Sequence, residues 1–197
     1  MTTSFSGEHD DRAEPIAVDR MAVYDDRVSR STPCQGINDG KEAIMKVVQI
    51  KAEPLTSEAF KPFGQVVGQD EVNLALKKGE EFRMGIIHMR NRGYQISRMN
   101  FHKNSTQALV PLEGKACLVV VAPPDTKFKK ASDLKKVKAF ICDGSMGINL
   151  GLKTWHQALL PLGPEMKMLN VQGVNSTEDT YAVDFEEKLD AILEVTL

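Results

Sequence analysis

Two histidines at turn-to-strand junctions, His102 and His156, are the side chains of this sequence best placed to move protons. Imidazole titrates near neutrality, so it can act as general base, general acid or metal ligand. His102 ends an alternating run, Tyr94 to His102, and precedes Lys103-Asn104-Ser105-Thr106-Gln107. His156 follows Trp155 in GINLGLKTWHQAL, at a turn that leads into an apolar strand. Strands adjacent in a small barrel can aim both rings into one cavity. Gln107 can fix a carboxylate or an amide through hydrogen bonds. Lys153 can supply the cation for an anionic substrate. Each histidine has a plainer alternative, a surface or satisfied structural role. Trp155, the single tryptophan, reads as packing. His88, beside the turn in IIHMRNRG, is a weaker candidate, and His9 is set aside with the N-terminal arm.

Other chemistries lack their residues. Of four histidines, three lie beyond the arm, and no HxH pair occurs. A tightly held His-rich metal centre is therefore not expected, and the metal-ligand set is none. The sequence points to no particular cofactor, and two histidines leave room for a weakly bound divalent ion. No phosphate-binding glycine loop, GxSxG elbow or Cys-His nucleophile signature appears. Cys34, Cys117 and Cys142 are odd in number and widely spaced. That pattern fits reduced thiols in a cytoplasm rather than a disulfide framework.

The elements that must position these groups read as follows. Residues 1–44 carry nine acidic and five basic residues with little apolar periodicity, and are expected to be a flexible extension. They contain neither a basic n-region nor an apolar h-region, so no secretory signal is expected. The domain is expected over 45–197, opening with a strand at Lys46–Lys51. Thr56 or Ser57 caps a short helix that stops near Pro62-Phe63-Gly64. Strands are expected at 64–67, 82–89, 94–102, 107–111, 116–123, 136–141, 148–150, 158–160 and 166–172. In the second of these, Phe82, Gly85 or Ile86, and His88 share a face. In the third, Tyr94, Ile96, Arg98, Asn100 and His102 do. Leu112-Glu113-Gly114-Lys115 has the composition of a hairpin turn. Phe185, Leu189, Ile192 and Leu193 fall near helical spacing, which predicts a C-terminal helix within Tyr181–Leu197. Many short strands without βαβ alternation argue for a mainly all-β barrel or jelly roll with short helices. Lys127 to Lys138 contains six lysines, a solvated edge or else an anion-attracting rim. A net charge of −2 and an apolar run no longer than Cys117–Pro124 point to neither nucleic-acid nor membrane partners.

The ordered motifs resemble one family. His102-Lys103-Asn104-Ser105-Thr106-Gln107-Ala108-Leu109-Val110-Pro111-Leu112-Glu113-Gly114 is similar to H-x-x-[GS]-[TS]-Q-A-F-[IV]-P-[LM]-x-G of the ureidoglycolate lyases, also called ureidoglycolate hydrolases. The valine-rich Leu118–Ala122, Ala139-Phe140, Gly147-Ile148-Asn149 and Thr154-Trp155-His156 follow in the family's order. Pro54-Leu55-Thr56-Ser57-Glu58-Ala59-Phe60 with Phe63-Gly64 fits its opening. The resemblance implies a cupin-like β-barrel, a homodimer, and release of urea from ureidoglycolate to leave glyoxylate, in allantoin and purine breakdown. Carried over by position, it implies His102 and His156 as catalytic and Gln107 and Asn149 as substrate-binding; Ser105 and Lys153 complete the expected substrate-binding set. This chain departs from the pattern at Asn100 (usually Glu), Leu150 and Gly151 (a tyrosine and a polar residue), Gln157 (a second His) and Gln172-Gly173 (an Asp-Arg pair). Two alternatives go with those departures: a diverged cupin-like enzyme on another small hydroxy or keto acid, and a non-catalytic small-molecule-binding protein.

Overall fold

The computed structural model describes residues 45–68 and 70–197. The extension expected over 1–44 lies outside the described residues. In chain order the elements are β1 (Lys46–Pro54), α1 (Ser57–Phe60), β2 (Gly64–Val67), β3 (Phe82–Arg90), β4 (Gln95–Ile96), β5 (Arg98–His102), β6 (Gln107–Pro111) and β7 (Cys117–Ala122). A 3-10 turn at Ala131–Lys136 follows. Then come β8 (Lys138–Cys142), β9 (Gly147–Leu150), β10 (Trp155–His156), β11 (Leu160–Pro161), β12 (Glu165–Gly173), β13 (Thr180–Asp184), α2 (Phe185–Leu189) and β14 (Ala191–Thr196). The fold is mainly β, as the strand pattern predicts.

The strands form two sheets. The larger runs β13-β5-β10-β7-β8-β1-β14-β4, with β11 also on β7; the smaller runs β2-β9-β6-β12-β3. Between the sheets lies one apolar cluster, including Leu109, Val119, Val121, Ile148, Leu150 and Met168. On the far face of the larger sheet lies a second, including Leu118, Val120, Ala122, Phe128, Phe185 and Leu193. Strand β7 serves both, and that is why its sequence, CLVVVA, is apolar without alternation: Cys117, Val119 and Val121 face one cluster, Leu118, Val120 and Ala122 the other. α1 begins where Thr56 Oγ1 accepts the Ala59 N–H at 3.2 Å. It carries Phe60 to Phe63 and Phe140, each pair of ring centroids 5.8 Å apart.

Three local expectations are corrected, and the face shared by Phe82, Ile86 and His88 in β3 is found to be the outer one. The turn Leu112–Lys115 has hairpin geometry, with Glu113 at φ 60°, Gly114 at φ 64° and the Lys115 N–H donating to Leu112 O at 3.2 Å. Yet β6 pairs with β9 and β12 while β7 pairs with β8, β10 and β11, so the turn carries the chain from one sheet to the other. The run 94–102 breaks at Ser97, whose carbonyl accepts the Phe185 N–H at 2.7 Å. The break puts Ile96 with Met99 in the outer cluster, opposite to the face of Asn100 and His102. In β3, Arg83, Gly85, Ile87 and Met89 face inward, because Ile87 and Met89 pack on the inter-sheet cluster; Phe82, Ile86 and His88 face out.

The C-terminal helix is confined to Phe185–Leu189. Asp184 caps its start through the Glu187 N–H at 3.1 Å, and Asp190, left-handed at φ 49°, ends it. Ala191, Leu193 and Val195 are then buried in alternation, and β14 pairs in parallel with β1 from Lys46↔Ala191 to Lys51↔Thr196. The 185–193 spacing satisfies both periods. The free edge of β1 decides for the strand.

Candidate active site

The polar site grows from one end of the inter-sheet layer. His156 on β10 lies opposite Val121, an inter-sheet residue, and opposite Asn100 on β5, so all three share the inner face. His102, two residues on, shares it as well and pairs with Thr180. From the smaller sheet, Gln107 stands opposite core Leu150, and Asn170 opposite core Leu109. Gln172 and its partner Arg83 follow in the same phase. The structure thus brings His102, His156 and Gln107 together, with ring centroids of the two histidines 5.3 Å apart and all three side chains buried.

The hydrogen bonds fix which nitrogen of each ring carries the proton. The Thr180 hydroxyl donates to Ser176 O at 2.7 Å and has no second proton. At 3.3 Å it therefore accepts from His102 Nδ1–H. His156 Nδ1 lies 2.9 Å from Thr154 O, a pure acceptor, so it too carries hydrogen. In the neutral rings both Nε2 atoms hold lone pairs.

Burial governs the acidity of both. It pushes His102 down, opposed by the Asp179 carboxylate, the Gln107 side chain and the Ser176 carbonyl, while the Arg83 charge adds to the lowering. Burial pushes His156 down to about 4, against the Thr154 carbonyl and aided by His102. Both imidazoles are neutral at neutral pH, and His102 gains a proton more readily than His156.

Gln107 departs from its expected role. Its Nε2 donates to Asn170 Oδ1 at 2.8 Å and to Gln172 Oε1 at 3.0 Å, so both its protons are committed. Its buried Oε1 accepts no hydrogen bond in the resting site and is placed to accept one from His102 when that ring is protonated. A buried carbonyl left unpaired costs about 1–3 kcal/mol. The group offers an acceptor, suited to a substrate N–H rather than to a carboxylate.

Other expected site residues lie apart from the inner face. Asn149 sits between core Ile148 and Leu150 and faces the other side of the smaller sheet. There its Nδ2 donates to Gln65 Oε1 at 3.1 Å and to Asn73 O at 3.0 Å, anchoring the segment after β2. Ser105 is buried, with its hydroxyl accepting the Gly173 N–H at 3.4 Å, and it bridges Leu76. Lys153 is exposed at φ 61°; its backbone N–H donates to His102 O at 2.7 Å and so holds the strand end. His88 faces outward opposite Lys167.

Sequence reasoning missed Arg83, Asn170, Asp179 and Thr180, and met Gln172 only as a departure from the family pattern. Arg83 is the cation of the site: its Nη2 donates to Ser176 Oγ at 3.3 Å and its charge is felt at His102. The signal was present in β3, where Arg83 is in phase with Ile87 and Met89. Asp179 accepts the Lys103 and Asn104 N–H groups at 2.8 and 2.6 Å, which fixes the turn just beyond His102. Among the described residues, no three His, Cys, Asp or Glu side chains converge to hold a metal ion. A divalent ion here would have two imidazole nitrogens and neutral amides as its donors.

Comparison with known proteins adds the lineage. The ureidoglycolate lyase family model matches residues 75–191. A ureidoglycolate lyase of Brucella anthropi is 30% identical over 163 residues, covering 73% of this chain and 94% of that one. One of Chelativorans sp. is 29% identical, covering 70% and 95%. Ureidoglycolate lyase 1 of Rhizobium meliloti is 31% identical, covering 58% and 76%. Among solved structures, RmlC from Streptococcus suis overlaps at a TM-score of 0.31 and 10% identity, over 47% of this chain and 43% of that one, too slight a likeness to bear on the fold.

Proposed function

Because this chain belongs to the ureidoglycolate lyase family, we propose that it is an enzyme that releases urea from ureidoglycolate and leaves glyoxylate. The observation that carries the site reading is the pair of neutral imidazoles, each with its proton on Nδ1, beside the unpaired carbonyl of Gln107. The substrate carboxylate pairs with Arg83, a charge-assisted contact at the edge of the site. The urea N–H donates to Gln107 Oε1. His102 Nε2 takes the hydroxyl proton; the C–O bond becomes a carbonyl as the C–N bond breaks, its electron pair going to nitrogen. The imidazolium so formed, favoured by Asp179 and Gln107, returns its proton to that nitrogen. His156, held neutral by burial, accepts a substrate hydrogen bond without adding a competing charge. No step needs a metal ion or cofactor.

The test is to incubate the purified protein with racemic ureidoglycolate and follow urea and glyoxylate. Product above the spontaneous rate is expected, with and without added divalent metal. Its absence in both conditions sinks the assignment. The amide-rich inner face, with Asn100 and Gln172 present, also supports a second reading, a related reaction on another small 2-hydroxy or 2-keto acid. A thermal-shift series of such acids separates the two, since a ligand of the native state raises its melting temperature.

We place this reaction in allantoin breakdown and in the cytoplasm. Cys117 and Cys142, buried and free on facing strands, support the second point. A homodimer completes the proposal. The outer side of β3, at the edge of the smaller sheet, exposes Phe82, Met84 and Ile86, with Met84 at 71% exposure. An apolar strip of this kind marks an interaction surface. Sedimentation should give a dimer that Met84→Glu converts to monomer; a monomeric parent protein overturns this part.

A further inference from the structure

The two residues of β10 face opposite ways. His156 enters the inter-sheet site, while Trp155 packs with the outer cluster. Beside Trp155 lies a concavity of about 310 Å³, walled by Trp155, Phe128 and Thr126 and rimmed by Lys127, Lys129 and Lys188. Its volume reaches the lower end of small-molecule sites, about 300–1,000 Å³. The aromatic wall is fixed: Trp155 Nε1 donates to Thr126 O at 3.1 Å, and the indole meets Phe101 edge-on at 4.6 Å and Phe128 at 5.3 Å.

Two observations mark the concavity as unfilled in chemical terms. Thr126 is buried, and its hydroxyl has no hydrogen-bond partner, although such groups are nearly always satisfied. The rim lysines, like Lys130 and Lys135, have no carboxylate partner among the described residues. In the same basic stretch Lys136 pairs with Asp133 at 3.5 Å and Lys138 with Glu53 at 3.4 Å.

We propose that this concavity is a second binding site, for a small planar anion: an aromatic ring bearing a phosphate or carboxylate. The ring lies against half-buried Trp155, whose indole is held from behind by buried Phe128; stacking on an aromatic face favours flat ligands. The acid group meets the ammonium rim and the Thr126 hydroxyl.

Trp155 is the only tryptophan of the chain, so its fluorescence reports on this concavity and on the neighbouring His156, and a rim-lysine variant separates the two. The full chain is titrated with phenyl phosphate and benzoate, and in parallel with inorganic phosphate and benzyl alcohol. A saturable change with one or both aromatic anions is expected, at least tenfold tighter than with either control. The variant Lys127→Ala/Lys129→Ala/Lys188→Ala should weaken it about tenfold, as the loss of exposed charge pairs implies. An unchanged melting temperature establishes that this surface variant is folded. No saturable change with either aromatic anion overturns the proposal. An equal response to benzyl alcohol reduces the site to an apolar cleft, and an equal response to inorganic phosphate to a basic rim; both outcomes also overturn it. So does undiminished affinity in the folded variant.

Discussion

The two ends of the inter-sheet layer share strands but not chemistry. At one end Phe60, Phe63 and Phe140 close on each other as a dry aromatic cluster. At the other, His102, His156, Gln107 and Asn170 occupy equivalent inward positions with imidazoles and amides. The strands crossing the layer pass from one regime to the other within a few residues: in β6, inward Gln107 is followed by inward Leu109. The aromatic end supplies cohesion. It can therefore support a polar end that holds two histidines neutral against their preference for water and leaves a buried carbonyl unpaired.

That division can be broken by experiment. The largest effect is expected at the polar end: His102→Gln should lower kcat on ureidoglycolate by about 10²–10⁴-fold, the usual contribution of a positioned proton-transfer group. Its melting temperature should stay near that of the parent; a large drop would mean that the ring is a structural part of the layer. Phe140→Ala should do the converse, costing about 3–5 kcal/mol in urea denaturation while KM of the remaining folded enzyme holds.

Acid provides a third, smaller effect that links the ends. His156 has its folded pKa lowered from 6.5 to about 4, so between those values the unfolded chain binds a proton that the folded one refuses. Stability is full above pH 6.5 and declines as pH falls, by about 3 kcal/mol once pH 4 is reached. Denaturation series across this window, run beside His156→Gln, isolate the contribution: the variant should lose most of the slope. Because His102 is lowered too, the acid limb of the rate profile should lie below pH 6.5. Next in size, Arg83→Gln should raise KM for ureidoglycolate about tenfold, from loss of a charge-assisted contact, with a lesser effect on kcat. Lys153→Ala should change either constant by less than about twofold, as expected of an exposed cation outside the inner face. A Lys153 effect exceeding that of Arg83 would reassign the carboxylate contact.

The polar end was partly legible in the sequence. His102, Gln107 and His156 could be singled out because each stands at the end of a short apolar or alternating run, where a polar side chain must either meet solvent or line a cavity. Asn149 shows the limit of that reasoning. Its motif position is correct, but the strand alternation of Ile148, Asn149 and Leu150 puts it on the other side of the sheet. Arg83 shows the complementary limit: in FRMGIIHMR both faces carry apolar residues, so periodicity alone left the inward face undecided. The C-terminal segment failed for a different reason. Phe185, Leu189 and Leu193 satisfy a helix and Ala191, Leu193 and Val195 a strand, and the choice depends on β1, more than a hundred residues away. The turn at Leu112–Lys115 carried the right local chemistry, while which sheet each flanking strand joins is set by partners that the turn does not touch.

The pairing of β1 with β14 has a mechanical consequence. The two strands run in parallel, with Lys46 beside Ala191 and Lys51 beside Thr196. A pull applied at the start of β1 and the end of β14 acts along both strands in opposite directions. All six register pairs are then loaded in shear at once instead of being unzipped one by one. The domain should therefore resist stretching from its ends far better than stretching from an internal loop, and a single-molecule pulling geometry that grips residues 45 and 197 would meet its stiffest direction.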